Sequence, residues 1–281
     1  MVWTIRSGIL PFADGAEKGG ALLGHRTFAP PFPPPLVVKN GAEGEVVSFQ
    51  LFIPCFLDQG APEIAGAVAD LLKRLGLAWD YPADQTCCGQ FAFTLGDPAT
   101  ARRLMRHFLR VFGSGEPLLC PSASCTLMVR KHYPQLAESP AERREAAALA
   151  GRTLELSECL ARLGPLPWTP RFPGPLVLHR SCKARQLGAL PGAARVLSQV
   201  AGLRLLEVSP YYSCCGFGGV FSVQHPDLAG EMAAAYLEAV LATGAQGLVS
   251  LDYSCLMHLQ GVAAARGWDL QFFHLAEILT R

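Results

Sequence analysis

One pattern constrains this chain more than any other: a cysteine motif that occurs twice with the same internal spacing. The stretch from Cys55 to Cys87-Cys88-Gly89 is equal in length to the stretch from Cys182 to Cys214-Cys215-Gly216. A further cysteine follows in each half, Cys125 in the first and Cys255 in the second, with the second gap slightly longer. The flanks repeat as well. Pro98-Ala99-Thr100 opens a helical run after the first pair and Pro226-Asp227-Leu228 after the second. Leu156–Leu160 closes the first copy and Leu275–Leu279 the second. Two copies of one domain account for this economically. The boundaries read as 46–165 and 174–281, with a leader over residues 1–45 that is rich in glycine and proline and shows no periodicity. Such a composition predicts a disordered or poorly ordered segment.

Within each copy, strand-like and helix-like runs alternate. In the first, strands are expected at Val46–Ile53, Ala78–Tyr81 and Pro117–Cys120, and helices at Pro62–Leu75 and Asp97–Phe112, the latter with Leu104, Phe108 and Phe112 inward. In the second, strands are expected at Leu176–His179, Arg204–Val208, Gly247–Leu251 and Leu270–Phe273, and helices at Gly192–Ala201 and Pro226–Ala242. This rhythm predicts an α/β class: two tandem cysteine-rich βαβ domains, each with a mostly parallel sheet, related by pseudo-two-fold repetition. The cysteines fall where strands end and helices start, which in such sheets is the ligand-binding edge.

The chemistry follows from the cysteines. Adjacent side chains point apart, so two ligands for one centre need an unusual turn, and the glycine after each pair permits it. Cys55, Cys87, Cys88 and Cys125 form one candidate set of metal ligands, and Cys182, Cys214, Cys215 and Cys255 the other. Four thiolates match either a 4Fe–4S cluster or a structural zinc, with one or two centres per chain. A vicinal pair suits the multi-iron centre better, because its two sulfurs can reach different irons. Cys120, His179 and His258 are candidate supporting groups or alternative ligands. For both histidines a role in orienting the ligands is favoured over direct ligation. Cys159 aligns with Ile278 and is expected to pack in the core. Phe217-Gly218-Gly219 reads as a tight backbone wrap near the second pair. The first copy has Gln90-Phe91-Ala92 there, so the two sites are expected to differ. Arg180, Lys183 and Arg185 surround Cys182 and are candidates for holding a carboxylate or an acidic partner.

Composition narrows the function classes. The chain is 17% charged with a net charge of +1, which weighs against a basic nucleic-acid-binding surface. No apolar run reaches the roughly 20 residues of a membrane span, and Met1–Leu10 is too polar for a signal-peptide core. A cytoplasmic protein with reduced thiols is therefore expected. No dinucleotide fingerprint or Walker loop is present.

The duplicated motif resembles the cysteine-rich domain of the heterodisulfide reductases and of the glycolate oxidase iron–sulfur subunit. It is most similar to the lactate utilisation protein A family. The residues that carry this are Phe52-Ile53-Pro54-Cys55, Thr86-Cys87-Cys88-Gly89-Gln90, Pro121–Cys125, Cys214–Gly219 with Phe221-Ser222, and Ser254–His258. The resemblance runs from about Val46 to the C-terminus. It implies an iron–sulfur electron-transfer subunit that acts with other iron–sulfur subunits in oxidising L-lactate to pyruvate. The wider pattern ends in Cys-x-x-Cys. Here Ser122 and Asp252 stand at the position before the final cysteine that would complete it, and Met128 and His258 at the position after. That departure argues against the five-cysteine, non-cubane cluster of the heterodisulfide reductase relatives. Two alternatives remain at this point. One is a redox subunit for another 2-hydroxy acid, such as glycolate, or for a disulfide. The other is a zinc-stabilised interaction module.

Overall fold

The computed structural model describes residues 48–209 and 214–281. The expected leader, 1–45, lies outside them, as do Val46 and Val47 of the first expected strand.

Each repeat builds one four-stranded, wholly parallel sheet. In the first repeat β1 (Ser48–Leu51), β2 (Ala78–Asp80), β3 (Leu118–Cys120) and β4 (Thr153–Glu155) lie in the order β2-β1-β3-β4. In the second, β5 (Arg171–Leu178), β6 (Ala201–Leu206), β7 (Gly247–Ser250) and β8 (Gln271–His274) repeat that order as β6-β5-β7-β8. The registers correspond too: Leu51 pairs with Leu119, and Leu178 with Val249. The order reverses direction between β1 and β3, and between β5 and β7, so each sheet has its crevice at those strand ends.

The helices follow from the sequence in most places. Pro62–Arg74 buries Ile64, Val68, Leu71 and Leu72 on one face. Full burial of such a side chain contributes about 1.5–3 kcal/mol. Pro98–Val111 starts behind Asp97, whose carboxyl accepts from the Thr100 N–H at 3.0 Å. Its inward face is Ala101, Met105 and Phe108, with Phe112 just beyond, and the expected Leu104 is only half-buried. Leu104 instead leans toward Gly89 of the cysteine motif. The helix expected at Gly192–Ala201 runs from Leu190 to Leu197. Its partner strand β6 starts at Ala201, ahead of the expected Arg204, because Ala201 pairs with Arg171 at the start of β5; Gly202 takes a left-handed conformation against the Phe172 and Pro173 backbone. Strand β5 opens at Arg171 with a register irregularity before Gly174.

The two sheets share one core. Helix 62–74 of the first repeat packs against 275–279 of the second, and helix 190–197 of the second against 156–163 of the first. These are equivalent elements exchanged across a pseudo-two-fold axis. The shared apolar cluster accordingly mixes Leu71, Leu156 and Leu160 with Val196, Leu275 and Ile278. Cys159 is buried in it, as is its counterpart Ile278.

Polar groups pin this interface. Asp252, 2% exposed, accepts from the Ser122 hydroxyl at 3.0 Å and the Ser124 N–H at 2.8 Å across the interface. It also accepts from the Ser181 hydroxyl at 2.7 Å within its own repeat. Ser122 and Asp252 are the residues standing in the Cys-x-x-Cys positions, so both departures from that pattern meet at the join between repeats. His274 adds a second tie, its Nε2 donating to the Pro121 carbonyl at 3.1 Å while Nδ1 accepts from the Ala276 N–H. The equivalent position in the first repeat, Glu155, caps its helix through Ser157. Burial raises the Glu155 carboxyl to about 8.

Two outcomes are expected. Asp252→Ala strands three donors in a dry interface and should cost about 2–4 kcal/mol in urea unfolding. Glu155 is held neutral in the fold, whereas the unfolded chain ionises it near its ordinary 4.5. Its contribution is complete below that pH and is lost as pH rises toward about 8. The thermal midpoint of the native chain should therefore fall relative to that of Glu155→Gln across that window.

Candidate metal centre

The parallel sheets deliver the cysteines to one edge. Cys55 begins the helix Cys55–Gly60 shortly after β1, Cys87-Cys88 follow β2, and Cys125 lies in the short helix Ala123–Leu127 after β3. The second repeat does the same with Cys182 at the start of Cys182–Leu187, with Cys214-Cys215, and with Cys255 in the first turn of Tyr253–Arg266. All eight expected positions converge on the carboxyl ends of the strands. All ten cysteines are free thiols.

In the first group the sulfurs form a continuous series. Cys55 contacts Cys87, Cys87 contacts Cys88, and the Cys88 and Cys125 sulfurs are 3.3 Å apart. Hydrogen bonds from the Cys55 and Cys88 thiols pull Cys87 well below the ordinary thiol range, helped by the Gly89 N–H donating to its sulfur at 3.4 Å. Cys55 is pushed up by its bond to Cys87 and by burial. A cavity of about 50 Å³ opens on this group, lined by Cys55, Cys87, Cys88 and Cys125 together with Phe91 and Phe217.

The second group is built alike but not identically. Cys214 contacts Cys215, and the Cys215 and Cys255 sulfurs lie 3.1 Å apart. Burial raises Cys182, and the neighbouring Cys214 raises it further. The Phe217 N–H donates to the Cys215 sulfur at 3.5 Å. Gly216 has φ of 80°, and a Cβ there would stand 2.4 Å from the Ala229 carbonyl. The glycine after the vicinal pair thus supplies both the left-handed turn and the close approach. Gly219 sits against the Phe91 ring of the first repeat. Phe56, Phe91 and Phe217 have centroids 5.5–6.4 Å apart, so rings next to both cysteine groups form one cluster.

The remaining candidates separate clearly. Cys120 is buried and its sulfur faces the Ser122 carbonyl at 3.6 Å; burial and then Cys125 raise it well above the ordinary range. Burial raises Cys159 to about 12, in keeping with an inert core thiol. His258 Nε2 meets the Ala229 carbonyl at 3.2 Å, and its ring lies 5.8 Å from Phe217. That bond holds the helix next to Gly216. His179 is fully buried and its Nδ1 meets the Tyr236 hydroxyl at 2.9 Å. A ring nitrogen of His179 lies with the Cys215 and Cys255 sulfurs, the three atoms within 4.8 Å of one another. Arg180 and Arg185 are exposed and line a separate cavity of about 510 Å³ with Glu207 and Ser209. Asp252 and His274 went unrecognised as structural ties in the sequence. The serine and aspartate at the Cys-x-x-Cys positions were the available signal for the first, and nothing local marked the second.

Comparison with known proteins decides the family. The CCG cysteine-rich domain model matches twice, at residues 49–130 and 176–260. The chain is 36% identical to lactate utilization protein A of Macrococcus caseolyticus over 232 residues, covering 82% of this chain and 94% of that protein. It is 32% identical to lactate utilization protein A 1 of Bacillus mycoides, covering 82% and 95%. The chain belongs to the lactate utilisation protein A family. Among solved structures, a hypothetical protein from Helicobacter pylori superposes with a TM-score of 0.62 at 10% identity, over 84% of this chain and 49% of that one. That likeness concerns the fold.

The site geometry sets two expectations. Gly216→Ala forces a Cβ into the Ala229 carbonyl and should destabilise the second repeat by about 1–3 kcal/mol, visible as a lowered thermal midpoint. Cys159→Ala, away from both groups, should cost about 1–2 kcal/mol as a small core truncation and leave metal content unchanged.

Proposed function

We propose that this member of the lactate utilisation protein A family is an iron–sulfur electron-transfer subunit of a multi-protein system oxidising L-lactate to pyruvate. The observation that carries the reading is the convergence of four thiols in each repeat at a strand-end crevice.

The donor set fits such a centre. Soft thiolates select iron–sulfur clusters or zinc over hard cations. Cys55, Cys87, Cys88 and Cys125 would hold one centre, and Cys182, Cys214, Cys215 and Cys255 the other. Each set has the four ligands that a 4Fe–4S cluster takes. Bound there, a cluster would supply one-electron transfer. The chain's own residues do the rest. The Gly89 and Phe217 N–H groups donate to ligand sulfurs, which favours the thiolate form. Buried Cys88, Cys125 and Cys215, with the Phe56–Phe91–Phe217 cluster, keep water from the sulfurs. Half-exposed Cys55, Cys87, Cys182 and Cys214 leave one side of each group open toward a partner.

Oxidation of a 2-hydroxy acid releases two electrons, whereas clusters of this class carry one at a time. Two centres in one chain suit a relay between such a reaction and an acceptor. Among the described residues no helix is long and apolar enough to cross a membrane. The partners in this reading are other iron–sulfur subunits.

Cys215→Ser and Cys214→Ser should each remove iron and sulfide from one of two sites after anaerobic purification, read as about half the native content; undiminished content contradicts the ligand assignment. In a lactate-dependent dye-reduction assay the isolated, fully metallated chain should show no turnover until partner subunits are added. Sustained turnover by the chain alone would place a complete catalytic site in it. Zinc without iron in anaerobic preparations would favour a structural metal module instead.

A further inference from the structure

The two repeats differ at one buried pair, and the difference points into the second cysteine group. His179 occupies in the second repeat the position of Phe52 in the first, each standing three places before the first cysteine of its motif. The backbones agree: the Phe52 N–H donates to the Leu119 carbonyl at 2.9 Å, and the His179 N–H to the Val249 carbonyl at 2.8 Å. On the long helix after the vicinal cysteines, Pro98–Val111 in the first repeat and Pro226–Ala242 in the second, Tyr236 occupies the position of Phe108. The alignment of these helices is fixed by packing, since Gly89 faces Ala101 and Leu104 while Gly216 faces Ala229 and Met232. In the first repeat Phe52 and Phe108 meet edge to face with centroids 4.7 Å apart. In the second His179 and Tyr236 meet in the same way at 5.0 Å.

The first repeat therefore shows what packing requires at this place: two apolar rings. An imidazole and a phenol fill the same space at the cost of burying polar groups. The Tyr236 hydroxyl offsets part of that cost by bonding Nδ1 of His179. The other nitrogen is not offset. Nε2 is buried and has no hydrogen-bond partner among the described residues. Native structures rarely leave such an atom unpaired without a reason. One ring nitrogen of His179 lies within 4.8 Å of the Cys215 and Cys255 sulfurs, which are themselves 3.1 Å apart; Nδ1 is engaged by Tyr236, so the nitrogen free to face a centre there is Nε2.

We propose that His179 Nε2 is a direct metal ligand in the second site, beside Cys215 and Cys255 and in place of one of the four thiolates, so that the two sites differ in kind: four thiolates in the first, three thiolates and an imidazole in the second. This rests on the metal-centre reading above and reverses the sequence-based preference for an orienting role. Tyr236 then becomes the positioning residue. Its oxygen accepts the proton on Nδ1, which fixes the tautomer with the Nε2 lone pair facing the sulfurs. Phe52 offers no donor at the matching place. A neutral imidazole brings less negative charge to an iron centre than a thiolate does, and histidine ligation raises reduction potential in known iron–sulfur centres. The second site is accordingly the electron-accepting end of the pair.

The test uses the full chain loaded anaerobically with ferrous iron and sulfide, reduced, and examined by pulsed electron paramagnetic resonance with and without ¹⁵N-histidine labelling. The native chain should show a histidine nitrogen coupled to the reduced centre. That coupling should vanish in His179→Phe and in the double variant His179→Phe/Tyr236→Phe, which recreates the first repeat's packing and so keeps the fold. It should persist in Tyr236→Phe, with a shifted second-site potential. Absence of any histidine coupling in the labelled native chain, or its survival in both His179 variants, overturns the assignment while leaving the cysteine sites standing. If the chain takes up zinc and no iron, the electron-transfer reading fails. X-ray absorption at the zinc edge then decides the ligand: imidazole scattering lost on His179→Phe supports it, and unchanged scattering overturns it. A chain that takes up neither metal overturns both.

Discussion

Parallel strand pairing is the constraint on which the rest of this molecule depends. A sheet whose strands all run one way sends every strand end to the same edge, and each of β1, β2 and β3 hands the chain to a cysteine there. Residues far apart in sequence, such as Cys55 and Cys87, become neighbours without any long-range device beyond the β1–β2 ladder. The order reversal between β1 and β3 opens the crevice into which they point. The same holds for β5, β6 and β7.

Duplication supplies the second constraint. Two copies exchange equivalent helices across a pseudo-two-fold axis, and each completes the other's core. Once the copies depend on one another in this way, they are free to diverge where they face the cysteines. Ser122 and Asp252 hold the join, and the pair His179–Tyr236 stands where the first copy has Phe52–Phe108. Phe217 and Gly219 of the second copy reach the Phe56–Phe91 stack of the first, so the two cysteine groups share a wall of rings. A fold with two-fold pseudosymmetry thereby carries two cysteine groups with unlike surroundings.

Much of this was legible in the residues. The cysteine spacing announced the duplication, the burial period marked helix 62–74, and Asp97 before Pro98 marked the start of the next helix. The helix Pro226–Ala242 matches its expected span. Other elements carried no local signal. Helix 140–152 has a weakly amphipathic face with only Ala146 and Leu149 buried, so no period stands out. The turn at Met128–His132 is a π-helical insertion within a longer helical stretch, which spacing alone does not reveal. The roles of Asp252 and His274 depend on which surface of one repeat meets the other, and no window within a single repeat encodes that. His179 was visible as a candidate just before Cys182, but its weight came from the structure, through the unpaired Nε2 and the contrasting phenylalanine in the first copy.

The central claim is that each repeat gathers its four thiols to hold an iron–sulfur cluster. Native mass spectrometry of the anaerobically purified chain tests it most directly. The account predicts a folded species heavier than the bare polypeptide by two 4Fe–4S clusters, losing them stepwise on exposure to oxygen. A folded species at the mass of the bare chain, or one heavier only by zinc, would contradict it.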